Sequence, residues 1–332
     1  IVGMESTLPE IYLGKFKTND SEEVNELISN WDQEHIQLKK GQSFWELDMV
    51  QVGDFQIFVE HYGVPTLARG LIPHQSFAIA LPQFSAGDTV FMGQEVTSQT
   101  ALMSRWPYEF DIRISNHYKH TVIVAPVDPV LTCAEKMQRP LEESQLSFTG
   151  LVLPDLTACQ QLHQYLQDLF FWAKHRSRQR PDSLAETAFV DLIMADVLPL
   201  FIDVLTAKPA PGLAKKTANY RCLAQQAEAF MLTHLDQPVT LQALCQQVAV
   251  SPRTLNYCFQ EMFGLSPMET LKVLRLHQIR RVLRDADPTT TQISQVAPRF
   301  GFWHMAQLSA DYKRMFGELP SATLNQGYVT PA

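Results

Sequence analysis

A repeat in the last third of the chain restricts its fold more than any other feature. At an offset of 52 residues, Leu241, Leu244, Cys245, Val248, Ala249 and Val250 recur as Ile293, Val296, Ala297, Phe300, Gly301 and Phe302. At an offset of 53, Leu255, Phe259, Phe263, Gly264 and Pro267 recur as Leu308, Tyr312, Phe316, Gly317 and Pro320, so one residue is added in the turn. Every recurring position is apolar, small or helix-terminating; the copies therefore share a core pattern and differ on their exposed residues. Each copy reads as a short helix, a tight turn and a second helix. In the first, Thr240 is placed to cap the opening helix, and Ser251 with Pro252 supplies an N-cap and a proline at the first helical position of the next. That helix buries Leu255, Phe259 and Met262 or Phe263 and stops at Gly264. Between the copies, Ser266, Pro267 and Glu269 form a capping box that starts a longer helix through Leu271, Leu274, Ile279 and Val282, ended by Asp287 and Pro288. Two helix-turn-helix units on one rigid connecting helix are the expectation.

The chain has 332 residues, enough for two or three domains, and 45% hydrophobic against 19% charged residues excludes a disordered or linker-rich architecture. Residues 44–125 carry short runs rich in β-branched and aromatic side chains, Phe44 to Val52, Phe55 to Tyr62, Phe77 to Leu81, Asp88 to Met92, Phe110 to Ser115 and Thr121 to Ala125, which predict a sandwich or small barrel. Val24, Leu27 and Ile28 predict a helix over Ser21 to Gln33. Beyond Pro154 the period becomes helical, with Leu156, Cys159, Leu162, Leu166, Leu169 and Phe170 on one face of a helix ending near the basic run Lys174 to Arg180, and a second helix from Ser183 to Thr206. These helices suit a dimer surface, an interdomain brace or a cap on the sheet's own core, and periodicity alone leaves the three open. Lys208 to Lys216, with Pro209, Pro211 and Gly212, is the best linker. The resulting division is 1–150 β-rich, 151–207 helical, 208–218 linker and 219–325 helix-turn-helix. It sharpens the formal charge of −8, because residues 1–218 hold 17 Lys or Arg and 27 Asp or Glu, a net of −10, whereas residues 219–332 hold ten and eight, a net of +2. A polyanion partner is thus compatible with the last part alone.

The repeated residues Ile293, Val296, Ala297, Gly301, Phe302, Leu308, Tyr312, Phe316, Gly317 and Pro320 make residues 219–325 resemble the AraC/XylS family of bacterial transcription regulators. Pro298, inside the first helix of the second unit, departs from that pattern and is expected to shorten or kink it. The resemblance implies an α+β protein, with an N-terminal cupin-like β-barrel that holds a small-molecule effector and a C-terminal all-α double helix-turn-helix domain. It further implies a homodimer, contact with RNA polymerase, and double-stranded DNA read by Arg253, Asn256 and Tyr257 in one unit and Trp303, His304, Met305, Gln307 and Ser309 in the other. Thr254, Lys272, Arg275, Arg280, Arg281 and Lys313 are the matching candidates for phosphates, each with a solvated charge or an intrahelical partner as its plainer use. The phrases FQIFVEHY (55–62), FAIALP (77–82) and WHMAQLSADY (303–312) are similar to the ethanolamine-operon type of regulator. Trp45, Phe58, Tyr62, Phe77, Phe91 and Trp106, with Arg69 and Arg113 for an anionic group, are candidate effector contacts, although aromatics in strands more often form plain core and arginines surface pairs.

Rival functions have weaker sequence support. A cupin metalloenzyme needs a convergent histidine and carboxylate set, and the nearest approach, His117 with His120, lacks the usual spacing, so no metal or other cofactor is expected. Suicidal alkyl transfer needs an activated thiolate, but Cys245 and Cys258 fall on the apolar pattern of the helix-turn-helix, and an enzyme is not expected. Control by a protein partner docking on residues 151–206 is the alternative within the regulator reading. Cys133, Cys159, Cys222, Cys245 and Cys258 form no CxxC pair and suit a reducing cytoplasm. The longest apolar stretch, Phe189 to Leu205, holds Asp191, Asp196 and Asp203, too many carboxylates for a membrane span. The start lacks the basic and apolar segments of a signal peptide, so export is not expected.

Overall fold

A computed structural model of the chain describes residues 11–20, 23–24, 28, 30–41, 44–84, 88–176, 191, 193–212 and 215–326. Its N-terminal part consists of two antiparallel sheets packed face to face. The larger runs in the order β1 (Ile11–Thr18), β3 (Trp45–Val52), β4 (Phe55–Tyr62), β11 (Tyr118–Pro126), β6 (Ser76–Phe84), β9 (Ala101–Arg105), β12 (Gly150–Leu153) and β13 (Lys208–Pro209). The smaller runs β2 (Asp32–Gln37), β5 (Thr66–Leu71), β10 (Phe110–Ile114), β7 (Val90–Phe91) and β8 (Gln94–Glu95). The two sheets do not close into one hydrogen-bonded barrel. Alternation along each strand gives the larger sheet two buried faces. Phe58, Tyr62, Ala78, Ala80 and Val122 point between the sheets, while Ile57, Phe77, Ile79 and Ile123 point outward.

The outward face is covered by α1 (Val127–Lys136), α2 (Leu156–Arg176) and α3 (Leu198–Leu205), whose Val130, Leu162, Leu166, Leu169, Phe201 and Ile202 share one core with the sheet. Of the three uses open for this segment, capping the sheet accounts for the apolar stripe. Several expectations need correction. Gly150–Leu153 is a strand paired with Ala101–Met103, and the linker's Lys208 and Pro209 pair with Leu153 and Val152. The second helix has a π turn, Ile193–Val197, before α3; its expected start at Ser183 lies outside the described residues. Glu23 and Val24 are helical, but Asp32 and Gln33 open strand β2, because pairing with β5 overrides the local helical spacing. Strands β1, β5 and β9 were not legible as runs: β1 is interrupted by Gly14, Lys15 and Lys17, β5 by Arg69 and Gly70, and β9 spans only five residues. The run Asp88 to Met92 shrinks to Val90–Phe91, since Asp88 and Met92 adopt left-handed backbone at φ 46° and 51°.

The C-terminal part is all helical: α4 (Lys215–Thr233), α5 (Leu241–Gln247), α6 (Pro252–Phe263), α7 (Pro267–Arg284), α8 (Ile293–Val296), α9 (Met305–Phe316) and α10 (Pro320–Gln326). The recurring apolar residues meet in one core, with Leu244, Leu255, Phe259, Leu308, Tyr312 and Phe316 buried around α7. Ser266 and Glu269 form the expected capping box, and Gly264 and Gly317 end α6 and α9 at φ 64° and 79°, conformations that disfavour a side chain. Pro298 shortens its helix as anticipated: α8 has four residues and continues as a 3-10 turn, Ala297–Phe300.

The helical domain docks on the outer face of the five-stranded sheet. Ile36, Leu38 and Leu67 enter its core, and polar contacts surround them. His277 Nε2 donates to the Gln37 carbonyl at 3.0 Å, Gln37 Nε2 donates to the Met315 carbonyl at 2.7 Å, and the Gly41 amide donates to the Arg314 carbonyl at 3.0 Å. Arg69 bridges Glu34 at 2.9 Å and Glu228 at 2.8 Å, Arg221 pairs with Asp111, and Arg280 lies 3.2 Å from Asp20.

Burial lowers both His35 and His277 from 6.5 to about 4. As pH falls, the unfolded chain therefore takes up these protons first, so their contribution is complete above the ordinary histidine value and is lost between 6.5 and about 4. Each histidine should lower stability by up to about 1.4 kcal/mol per pH unit inside that window. His277→Gln keeps an N–H for Gln37 and should flatten the slope; urea unfolding at several pH values checks this, and identical slopes for variant and wild type would contradict it.

Candidate nucleic-acid interface and effector cavity

In the first unit Thr240 Oγ1 accepts the Ala243 amide at 3.1 Å and Ser251 Oγ accepts the Thr254 amide at 3.2 Å, so both helices start on satisfied caps. Helix α6 buries Leu255, Cys258, Phe259, Met262 and Phe263. Its other face carries Arg253, Asn256 and Tyr257, with Arg253 exposed, Tyr257 48% exposed and Asn256 partly so. These three are tied loosely within the helix: Arg253 lies over the Tyr257 ring, and Asn256 Nδ2 donates to the Pro252 carbonyl at 2.8 Å. Thr254 is held by the cap, its hydroxyl 3.0 Å from that of Ser251.

In the second unit Trp303 is 73% exposed and His304 is exposed just ahead of α9, while Met305 and Ser309 are partly buried. Gln307 is exposed but turned along its own helix, donating to Asp311 at 3.0 Å. Asp311 is buried and also receives Lys272 at 2.6 Å and Arg314; although burial works against its charge, these hydrogen bonds hold its carboxyl below the usual range.

Among the phosphate candidates, Lys313 is exposed, whereas the structure gives the others internal partners. Lys272 sits on Asp311, and Arg275 donates to the carbonyls of Leu235 at 3.1 Å and Gln237 at 2.5 Å. Arg280 is a correction: its side chain is 8% exposed, between Asp20 and Glu318, and cannot reach a phosphate in this arrangement. Arg281 is half exposed, 3.6 Å from Glu34.

Between the two sheets lies a small cavity of about 50 Å³. Three of the effector candidates, Phe58, Tyr62 and Phe91, line it, together with Trp31, Phe110, Ile112, Ala68, Ala78 and Ala80. Its polar wall was not foreseen. His120 Nε2 lies 2.7 Å from Glu60, His35 Nε2 lies 3.1 Å from the Tyr62 hydroxyl, and Gln33 and Ser104 complete it. His120 Nδ1 and Gln33 Nε2 are buried without a hydrogen-bond partner among the described residues. Alternation on β2 would have pointed to Gln33 and His35, but the helical spacing assigned to that segment concealed it.

The remaining effector candidates lie elsewhere. Trp45 is core, Phe77 faces the helices on the outer side, and Trp106 packs on His74 with ring centroids 4.2 Å apart. Arg69 serves Glu34 and Glu228, and Arg113 lies beside Gly264 of the helical domain. His117 is not with His120 but 6.3 Å from the His61 ring, and no three His, Cys, Asp or Glu side chains converge among the described residues. Burial pushes the thiols of Cys133, Cys245 and Cys258 up, and that of Cys159 up to about 11, the opposite of an activated thiolate. No described helix is long and apolar enough to cross a membrane.

Residues 244–326 match a family described as a helix-turn-helix domain. The probable thc operon regulatory protein of Rhodococcus erythropolis is 34% identical over 118 residues, covering 35% of this chain and 32% of that protein. The XylDLEGF operon transcriptional activator of Pseudomonas putida is 32% identical over 97 residues, covering 29% and 30%. The chain thus spans about a third of these curated relatives. A crystal structure of a probable AraC family transcriptional regulator from Rhodopseudomonas palustris is 31% identical, covering 32% of this chain and 97% of that one, with a TM-score of 0.30. Over residues 244–326, which span nearly all of its two repeated units and the helix between them, the C-terminal part is a helix-turn-helix domain similar to those of transcription regulators of the AraC/XylS type.

Proposed function

We propose that the protein binds specific double-stranded DNA and regulates transcription under the control of a small molecule held between its two sheets. One observation supports this most directly: two second helices, each fixed by a buried face on a common core, leave Arg253, Tyr257, Trp303 and His304 open to solvent. An exposed helix of this kind fits the major groove, where Arg253 can address guanine and Asn256 adenine with paired hydrogen bonds. Both side chains need only exchange weak contacts within their own helix for base edges. Trp303, His304, Met305, Gln307 and Ser309 offer shape and thymine-methyl contacts more than guanine readout. Thr254 and Lys313 are placed for phosphates. No step of this function is catalytic, no cofactor enters it, and its place of action is the cytoplasm.

The effector reading rests on the cavity, where buried polar groups without partners face an aromatic and aliphatic wall. Such a lining selects a small, largely apolar molecule with one hydrogen-bonding end. Leu13 and Phe171 are 36% and 65% exposed where the edge strand β1 meets helix α2, and this patch is our candidate for homodimer contact. It leaves RNA polymerase free to approach the helical domain. Control by a different protein partner has less support, because the described apolar residues of that segment, Leu162, Leu166, Leu169, Phe201 and Ile202 among them, pack on the sheet.

Arg253→Ala should cost about 1–3 kcal/mol on the selected site and relax preference at one base pair, whereas Lys313→Ala should weaken all sequences alike and lower the salt slope by about one. Binding-site selection followed by titration at several salt concentrations measures both, and equal loss on cognate and scrambled DNA would remove Arg253 from base reading. For the cavity, Ala78→Phe should abolish any effect of a co-purified small molecule on DNA affinity while leaving ligand-free DNA binding measurable. An unchanged effector response in that variant would place the effector elsewhere.

A further inference from the structure

The cavity between the sheets adjoins a larger cleft between the domains. The cleft holds about 550 Å³ between the five-stranded sheet and α4, and Gln33 and Phe110 line it as well as the cavity. Both belong to one cross-strand row, Gln33 opposite Gly70 and Gly70 opposite Phe110, at the end of the sheet where β2 begins, β5 ends and β10 begins. Facing residues on antiparallel strands share a side of the sheet, so this row turns inward at the mouth of the cavity. Its middle member has no side chain, and a Cβ on Gly70 would collide with the Asp32 carbonyl. The wall therefore has a gap at this row.

The side chains around the gap are held unequally. Trp31 donates its Nε1 proton to Gln56 at 2.8 Å and meets Phe58 and Phe110 edge-on, with ring centroids 5.8 and 6.0 Å apart. Gln33 Nε2 has no hydrogen-bond partner among the described residues, so turning this side chain breaks no bond of that nitrogen. Charge then decides what passes. On the cleft side the sheet presents Asp32, Glu34, Glu109 and Asp111 and α4 adds Glu228, while the guanidinium groups of Arg69 and Arg221 are already paired with Glu34, Glu228 and Asp111. An anion meets a repulsive field on approach.

Inside, a ligand carboxylate would share a closed space with that of Glu60, itself buried, where each charge raises the energy of the other. The unpartnered atoms ask for a hydroxyl instead. His120 donates its Nε2 proton to the Glu60 carboxylate and keeps a lone pair on Nδ1, which accepts, while Gln33 Nε2 donates. A hydroxyl group can serve either. Volume limits the rest of the ligand: about 50 Å³ exceeds the roughly 30 Å³ share of one water and falls well short of the roughly 150 Å³ that accepts benzene. We infer that the cavity takes a short uncharged alcohol, admitted from the interdomain cleft past Gln33. This inference rests on the reading of the cavity as the effector site and adds the chemical class of the ligand and its route. Entry asks for a turn of one side chain, with both domains in place.

The class is tested with ethanol and acetate, probes of equal carbon number, followed in the full chain through the methyl signals of Ala78 and Ala80, which line the cavity. Ethanol should shift both signals to saturation, and acetate should bind at least about tenfold more weakly. Acetate binding as tightly as ethanol overturns the proposal, and so does the absence of any response to ethanol. Gln33→Leu removes the unpartnered donor and keeps its bulk, and should weaken ethanol binding by about threefold or more. Unchanged ethanol affinity in that variant overturns the assignment of a hydroxyl ligand.

The route is tested by Gln225→Trp together with Ala229→Trp. Both residues are exposed, lie one turn apart on α4 and line the cleft but not the cavity. Filling the cleft should slow the exchange of ethanol between solvent and cavity by about tenfold, with its affinity unchanged, because a barrier slows entry and exit alike. Wild-type exchange rates in the folded double variant overturn the route. Ethanol binding in a protein whose DNA affinity no small molecule alters sinks the effector reading and spares the ligand class and route. An anion that changes DNA affinity and loses that effect in Ala78→Phe does the reverse.

Discussion

The joint between the domains depends on Gln37, a buried residue whose side-chain nitrogen and backbone carbonyl both bond across it. Its amide nitrogen donates to the carbonyls of Lys39, Gly41 and Met315, and its backbone carbonyl accepts from His277. These bonds organise the turn after β2 and tie it to α7 and α9 at once. A buried polar group left without partners costs about 1–3 kcal/mol, so separating the domains requires water to reach the Met315 carbonyl, the His277 ring and the Gln37 groups they bond. The apolar contacts of Ile36, Leu38 and Leu67 give the joint its adhesion, and the polar network fixes its register.

The sequence displayed the helical domain more completely than the sheets because its information is local. Caps at Thr240, Ser251 and Ser266 and stops at Gly264 and Gly317 lie within a few residues of the helices they bound, and the core repeats at a helical period. The sheets depend on partners far along the chain. Strand β2 is recognisable only once β5 lies beside it, and β12 only once Ala101–Met103 does. The apolar half of the cavity was legible through Phe58, Tyr62 and Phe91. Its polar half was not, since the pairs His120 with Glu60 and His35 with Tyr62 span 60 and 27 residues. Arginine roles were the least legible, because a guanidinium reads the same in sequence whether it meets a phosphate or a carboxylate of another domain.

The uneven distribution of charge acquires a structural meaning from these pairs. The acidic excess of residues 1–218 is partly spent on the arginines of the helical domain: Asp20 meets Arg280 and Arg284, Glu34 meets Arg281, and Asp111 meets Arg221. Carboxylates of the sheet domain therefore occupy cations that a phosphate backbone would attract. The competition is unequal along α7. Arg280 is buried and also held by Glu318 within its own domain, so it belongs to the fold in either state. Arg281 is half exposed and its link to Glu34 is long, so solvent and salt screen it and its release costs little.

A charge contested between a sheet carboxylate and a phosphate would couple DNA affinity to domain position without moving a recognition helix. In the docked arrangement Arg253, Tyr257, Trp303 and His304 are already open, so docking does not cover the surface proposed to read bases. What it withholds is part of the electrostatic contribution, which supplies much of the affinity and none of the sequence choice. Regulation through the joint would then alter the strength and salt dependence of binding while the preferred site stays the same. That division follows from where the two sets of residues lie: the proposed base readers on the exposed face of α6 and at the start of α9, and arginines on α7 within reach of the sheet.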